Sequence, residues 1–245
     1  MARRSKVYPG FAEAIQGIED GSTIGFGGFA MPGVPFNLMK ALQSSGAKGL
    51  TCVANTTGGA GQPRMPDIGH LVELGMVSKV ICAFTAATRA SDQLPFTKYY
   101  EAGEVEAELV PQGTLAERMR AAGAGIPAFY TPTAVGTELA AGRETRVFAG
   151  REYLLEPALP LDYAFIRAHR ADASGNLRFR RSQRNFNPIM AMAARVVIAE
   201  VENDIEPAGA FDPDDIHLAG IFVHRMVVIP PAPDGLWPQL REPRA

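Results

Sequence analysis

Two short stretches hold residue types that could meet a polarised oxygen. Gly27-Gly28-Phe29 follows an apolar run, and glycines in such a place let main-chain N–H groups approach an oxyanion, a phosphate or a thioester. A tight turn without a ligand would use the same glycines. Gln112-Gly113-Thr114 is the sharper signal, because Thr114 and Glu117 spell T-x-x-E, a capping box that predicts a helix over 115–122. The other N–H groups of that first turn would face outward and suit an anionic or polarised oxygen. Gln112, just ahead of the predicted cap, could offer a side-chain amide to a thioester carbonyl. For an isolated Gln, a hydrogen bond to its own loop is the commoner role.

Other reactive side chains point elsewhere. His70, His169, His217 and His224 lack metal-ligand spacing, so structural or surface roles are expected and no metal site. Cys52 and Cys82 lie in apolar runs and read as small hydrophobes of buried strands, since a reactive thiol needs a polar, electropositive setting. The glycine pair is not GxGxxG, Asp20 precedes it, and no GxxxxGK[ST] run occurs, which disfavours dinucleotide and triphosphate sites. Arg167, Arg170, Arg178, Arg180, Arg181 and Arg184 read first as a solvated face or subunit contact, with a seat for cofactor phosphates as the alternative. Gly123 to Gly136, around Phe129 and Tyr130, has the composition of a shaped loop or an interface.

The elements that must position these residues alternate along the chain. Phe11, Ile15 and Ile18 form a helical stripe ended by Asp20-Gly21, and a strand at 22–26 follows. Helical patterns over 35–45, 70–74, 96–100 and 187–194 are interleaved with strand-like runs at 50–54, 77–84, 105–110, 163–169, 196–201 and 221–229. That alternation predicts an α/β fold with a mainly parallel sheet flanked by helices. Ligands of such sheets collect beyond the carboxyl ends of the strands, so the loops 27–35, 55–63 and 111–114 are the candidate site. Ala149-Gly150 between strand-like runs predicts a hairpin. One domain over 1–229 is expected, with 230–245 an irregular Pro-rich tail.

At 245 residues, with 47% hydrophobic and 20% charged residues, the chain has ordinary globular proportions. The 24 Lys and Arg against 26 Asp and Glu leave a net charge of −2, which argues against nucleic acid as a partner. The run 189–201 is interrupted by Arg195 and Glu200 and is shorter than the roughly 20 apolar residues of a membrane span. A basic start followed by Glu13, Glu19 and Asp20 does not read as a signal peptide, and a cytoplasmic location is expected.

Read together, Asp20-Gly21-Ser22-Thr23-Ile24-Gly25-Phe26-Gly27-Gly28-Phe29 with Gly33 and Pro35 resembles the amino-terminal signature of family I CoA-transferases. Val110 to Arg118, Gly123 to Thr133, Gly142 to Thr145, Gly150 to Glu156 and Arg184 to Pro188 resemble the alpha subunit of the 3-oxoacid CoA-transferases, over about residues 10 to 229. The resemblance implies a fold shared with certain sugar-phosphate isomerases and a two-chain enzyme moving CoA from an acyl-CoA to a carboxylic acid. It implies a glutamyl-CoA thioester on a glutamate of the beta subunit, in a heterodimer or α2β2 heterotetramer, and no matching glutamate motif occurs here. CoA and acyl-CoA would be substrates, with no permanent cofactor. On this resemblance Gln112 makes a polar contact to the thioester or the glutamyl group, Gly113 beside it binds substrate or CoA, Gly27, Gly28 and Phe29 form a pocket wall, and Asn55 matches the first of two family asparagines.

Departures from the pattern are Gly25, Phe36, Thr56 in place of the second asparagine, and a longer loop over 57–66 in which Gln62-Pro63-Arg64 could set acceptor selectivity. Succinyl-CoA as donor and a 3-oxoacid as acceptor are the expected substrates, with acetate and 3-oxoadipate as alternatives. The competing functions are a non-enzymatic ligand-sensing module and one half of an acyl-CoA or ring-opening CoA hydrolase.

Overall fold

A computed structural model describes residues 5–58, 66–85 and 94–231. In chain order the elements are α1 (Phe11–Ala14), β1 (Thr23–Phe26), α2 (Phe36–Gln43), β2 (Leu50–Thr56), α3 (Ile68–Glu73), β3 (Val77–Phe84), α4 (Pro95–Glu101), β4 (Glu106–Leu109) and α5 (Gln112–Gly123). There follow β5 (Ala128–Thr131), β6 (Thr145–Phe148), β7 (Arg151–Pro157), β8 (Leu161–Ala168), β9 (Arg170–Ala171), β10 (Leu177–Arg178), α6 (Asn187–Ala193), β11 (Ala194–Val201) and β12 (Arg225–Val228).

Seven strands form one sheet in the order β12-β11-β8-β1-β2-β3-β4, and every pairing in it is parallel. The expected architecture is thus the observed one. Both faces are covered, which is why central strands such as β8 read as near-continuous apolar runs rather than alternating ones. On one face Ile24, Phe26, Cys52 and Ala54 pack with Leu38 and Leu42 of α2, Leu71 of α3 and Phe96 of α4. On the other, Val53, Ile81 and Ala164 pack with Leu115 and Met119 of α5 and Met190 of α6. Sequential strands run outward from β1 to β4, and the chain then returns to place β8 on β1's other side, so the order reverses at β1, where a crevice opens beyond the strand ends.

A second, antiparallel sheet of β5, β7 and β6 stands beside the first. Its β6–β7 hairpin turns at Ala149 and Gly150, with φ of 48° and 77°, the two left-handed residues that a type I′ turn requires. The hairpin was legible. The third strand was not: residues 128–131, expected as loop, form β5, since Phe129 and Tyr130 favour strand and Pro127 and Pro132 only bound it.

Three further boundaries differ from expectation. The first helix is only Phe11–Ala14, because the chain turns at Gly17, whose φ is 86°. A 3₁₀ turn over Gly220–Phe222 replaces the start of the last strand. The predicted capping box does not form: α5 begins at Gln112 behind Pro111, with no side chain capping it. Glu117 bonds Arg120 instead, Nε to Oε1 at 2.7 Å, so its carboxylate is not turned back to the helix start. In the tail, 232–245 lie outside the described residues, as do 59–65 of the long loop, including Gln62-Pro63-Arg64.

Candidate active site

Register brings the predicted residues together. β1 pairs with β2 through Gly25 opposite Val53, and the same register carried two residues on sets Gly27 opposite Asn55. Val110 N–H donates to Cys82 O at the end of β3, after which Pro111 sends the chain into α5. Gln112, the first residue of that helix, reaches across so that its Nε2 donates to Asn55 Oδ1 at 2.5 Å. Asn55 is buried, and its Nδ2 has no hydrogen-bond partner among the described residues.

Thr57, which sequence reading did not single out, is also buried and its hydroxyl also has no partner among the described residues. Val53 packs on the α5 side of the sheet, and the two-residue repeat of β2 assigns Asn55 to that side as well; Thr57 follows one residue past the strand. The first N–H groups of α5 have no intrahelical acceptor and no side-chain cap. A Cβ built on Gly113 would meet nothing within 4 Å, so open space borders this helix start. The Gln112 bond ties the start of α5 to the end of β2, and the Asn55 amide there is a neutral donor suited to an oxygen that gains negative charge.

Gly27 and Gly28 are glycines for packing reasons. A Cβ on Gly27 would lie 2.0 Å from Asn187 Oδ1, and one on Gly28, whose φ is 109°, would lie 2.4 Å from Val34. The protein's own atoms take the close approach expected for a ligand, and Phe29, 44% exposed, sits at the loop tip.

Two residues that the sequence reading left without a site role hold this loop. Asn187, fully buried, accepts from Arg167 N–H at 3.0 Å and donates from Nδ2 to Gly33 O and Gln183 O at 3.1 and 2.8 Å. Glu200, also fully buried, accepts from the N–H groups of Asn37 and Leu38 at 2.9 and 3.0 Å and from Asn37 Nδ2 at 3.2 Å. Its Oε1 lies 3.6 Å from Arg167 Nη1. One clamp fixes the loop, the other the start of α2 behind it. Burial pushes the Glu200 carboxyl up to about 7, against the pull of Arg167 and the amide donors. Burial also acts on Glu202, two residues on, but bonds from His169 and Arg167 outweigh it and hold that carboxyl below its usual range. The one signal for Glu200 in the sequence was a charge inside an apolar run.

The arginine group divides. Arg167 is buried and bonds Glu202 at 2.9 Å, which sets it apart from the solvated face expected. Arg170 pairs with Glu206 at 2.6 Å through two nitrogens, and Arg178 pairs with Asp215 at 3.0 Å. Those two pairs are partly exposed and Arg181 and Arg184 are exposed, in keeping with a solvated face.

The histidines take structural roles. His217 and His224 accept backbone N–H bonds of Phe179 and Val197, and burial lowers both below the usual imidazole value. Burial pushes the Cys82 thiol up to about 11 and that of Cys52 higher still, which leaves both unreactive at neutral pH. Among the described residues no cluster of His, Cys, Asp and Glu could hold a metal ion, and no helix is long and apolar enough to cross a membrane.

A family model described as Coenzyme A transferase matches residues 9–228. The alpha-type chain of the 3-oxoadipate CoA-transferase of Pseudomonas putida is 47% identical over 227 residues, 92% of this chain and 94% of that protein. The corresponding chain of the succinyl-CoA:3-ketoacid coenzyme A transferase of Xanthomonas campestris pv. campestris (strain B100) is 47% identical over 225 residues, 91% of this chain and 89% of that protein. In fold, glutaconate coenzyme A-transferase from Acidaminococcus fermentans superposes with a TM-score of 0.78 at 22% identity, covering 92% of this chain and 76% of that one.

Proposed function

The chain belongs to the coenzyme A transferase family as an alpha-type chain of the 3-oxoacid enzymes, and from that premise we propose how its half of the active site works with a partner. The partner, a beta-type chain in a heterodimer or heterotetramer, brings the attacking glutamate. Its carboxylate and an acyl-CoA exchange groups: the glutamyl side chain ends as the CoA thioester, and the acyl group leaves as a free acid carrying one oxygen from the glutamate. The acceptor acid then reverses the exchange. Succinyl-CoA is the donor and a 3-oxoacid the acceptor, CoA being a substrate and no resident cofactor being needed.

Carboxylate attack on a thioester carbonyl develops negative charge on the carbonyl oxygen, and a weak nucleophile depends on fixed donors to stabilise it. The observation that carries the reading is the amide pair of buried Asn55 and exposed Gln112, in which Gln112 fixes Asn55 and Asn55 Nδ2 has no partner among the described residues. Gly113 gives the thioester room beside it, and Gly27, Gly28 and Phe29 form the opposite wall. The experiment is to copurify the chain with its beta-type partner and follow CoA movement from succinyl-CoA to a panel of acids. Transfer to a 3-oxoacid is expected. Release of free CoA with no acid acceptor would instead make the pair a hydrolase.

A further inference from the structure

Asn55 Nδ2 and Thr57 Oγ1 are two of three buried side-chain polar atoms without a hydrogen-bond partner among the described residues, the third being Glu156 Oε1 in a separate arginine cluster. An unpaired buried polar group is a cost that native structures rarely accept without a function. Here two such groups stand two residues apart in sequence, Asn55 near the end of β2 and Thr57 just past it. They are not interchangeable. Asn55 Nδ2 can only donate, and its orientation is fixed by Gln112; the Thr57 hydroxyl can donate or accept. Thr56, between them, is used differently, its Oγ1 accepting from Gly58 N–H at 3.0 Å.

Building on the transferase reading, we infer that Thr57 determines acyl specificity, its hydroxyl donating to a second carbonyl oxygen on the acyl chain while Asn55 Nδ2 serves the oxygen of the reacting carbonyl. Two neutral donors two residues apart, at and just past one strand end, suit two oxygens along one chain. Both being uncharged, they fit a ketone better than a carboxylate, which draws on a cationic fork. The substrate class is therefore an acid with a keto group near its carboxyl carbon, a 3-oxoacid, in preference to an acid whose next oxygens form a distant carboxylate. Thr57 touches substrate in this account but moves no proton.

The test uses the complete two-chain enzyme and reads formation of the enzyme–CoA thioester by intact mass from acetoacetyl-CoA and, separately, from succinyl-CoA. Thr57→Val should lower the ratio of the two rates, acetoacetyl-CoA over succinyl-CoA, by about tenfold, as loss of one neutral hydrogen bond implies. Thr57→Ser, which keeps the hydroxyl, should hold the ratio within about twofold of wild type. Equal loss with both donors, or an unchanged ratio in Thr57→Val, overturns the assignment. Wild-type enzyme forming no thioester from either donor overturns the transferase reading, and the inference with it.

Discussion

Asn187 and Asn55 are both buried asparagines at the carboxyl end of the same sheet, yet every polar side-chain atom of Asn187 is bonded within the chain, whereas Nδ2 of Asn55 has no partner among the described residues. The contrast extends to their neighbours. Around Asn187, the groups of Arg167, Gln183, Glu200 and Glu202 satisfy one another. Around Asn55, the Thr57 hydroxyl is a second group without a partner among the described residues. Asn55 and Thr57 are nearly as buried as Asn187; satisfaction is what differs. Leaving such a group unpaired costs about 1–3 kcal/mol, so the closed network reads as a positioning device and the open one as a place kept for a substrate. Proximity to the site does not distinguish them, because both clusters touch the loop or strand ends that surround it.

Substitutions can sharpen or break that contrast. In the open region Asn55→Ala, which removes the donor that Gln112 fixes, should reduce kcat by about 10²–10³-fold; wild-type turnover in a folded variant would remove Asn55 from the mechanism. In the closed region Asn187→Ala removes four hydrogen bonds and should cost about 3 kcal/mol in urea unfolding, a stability loss where the open region shows a rate loss. Glu200 tests the closed network by pH. Its folded carboxyl titrates near 7 against 4.5 for an ordinary glutamate, so between those values the folded chain holds a proton that the unfolded chain has released. Its contribution to stability therefore falls as pH rises through that window and levels off above it. Glu200→Gln should lose this slope, gaining stability relative to wild type from pH 4.5 to 7; parallel pH–stability curves would contradict the burial argument. Arg120, exposed and paired with Glu117, lies in neither region, and Arg120→Ala should leave both kcat and stability at wild-type values.

How much of this could be read from residues alone follows from the range of the interactions. The parallel α/β order was legible because each strand and its following helix are local, punctuated by glycines and prolines such as Asp20-Gly21 and Gly33. The hairpin at Ala149-Gly150 was legible for the same reason. β5 was hidden because its partner β7 lies more than twenty residues on and its flanking prolines imitate a loop. The capping box failed on a local competition, Arg120 taking the Glu117 carboxylate.

At the site, family resemblance named Asn55 and Gln112 separately, but their bond spans 57 residues and exists only because β3 and β4 set the helix start beside β2. Glu200 bonds backbone 163 residues away. No pattern in a strand announces that distance. Thr57 was legible only as part of the loop over 55–63, since its own interest lies in having no partner among the described residues.

The central claim is that this chain supplies donors while another supplies the nucleophile. Intact-mass analysis of both polypeptides after incubation with acyl-CoA tests it most directly, run on the copurified pair and on this chain alone. The account predicts a CoA-sized mass increase on the partner, sensitive to hydroxylamine, with none on this chain in either sample. A thioester adduct on this chain in the absence of any partner would contradict it.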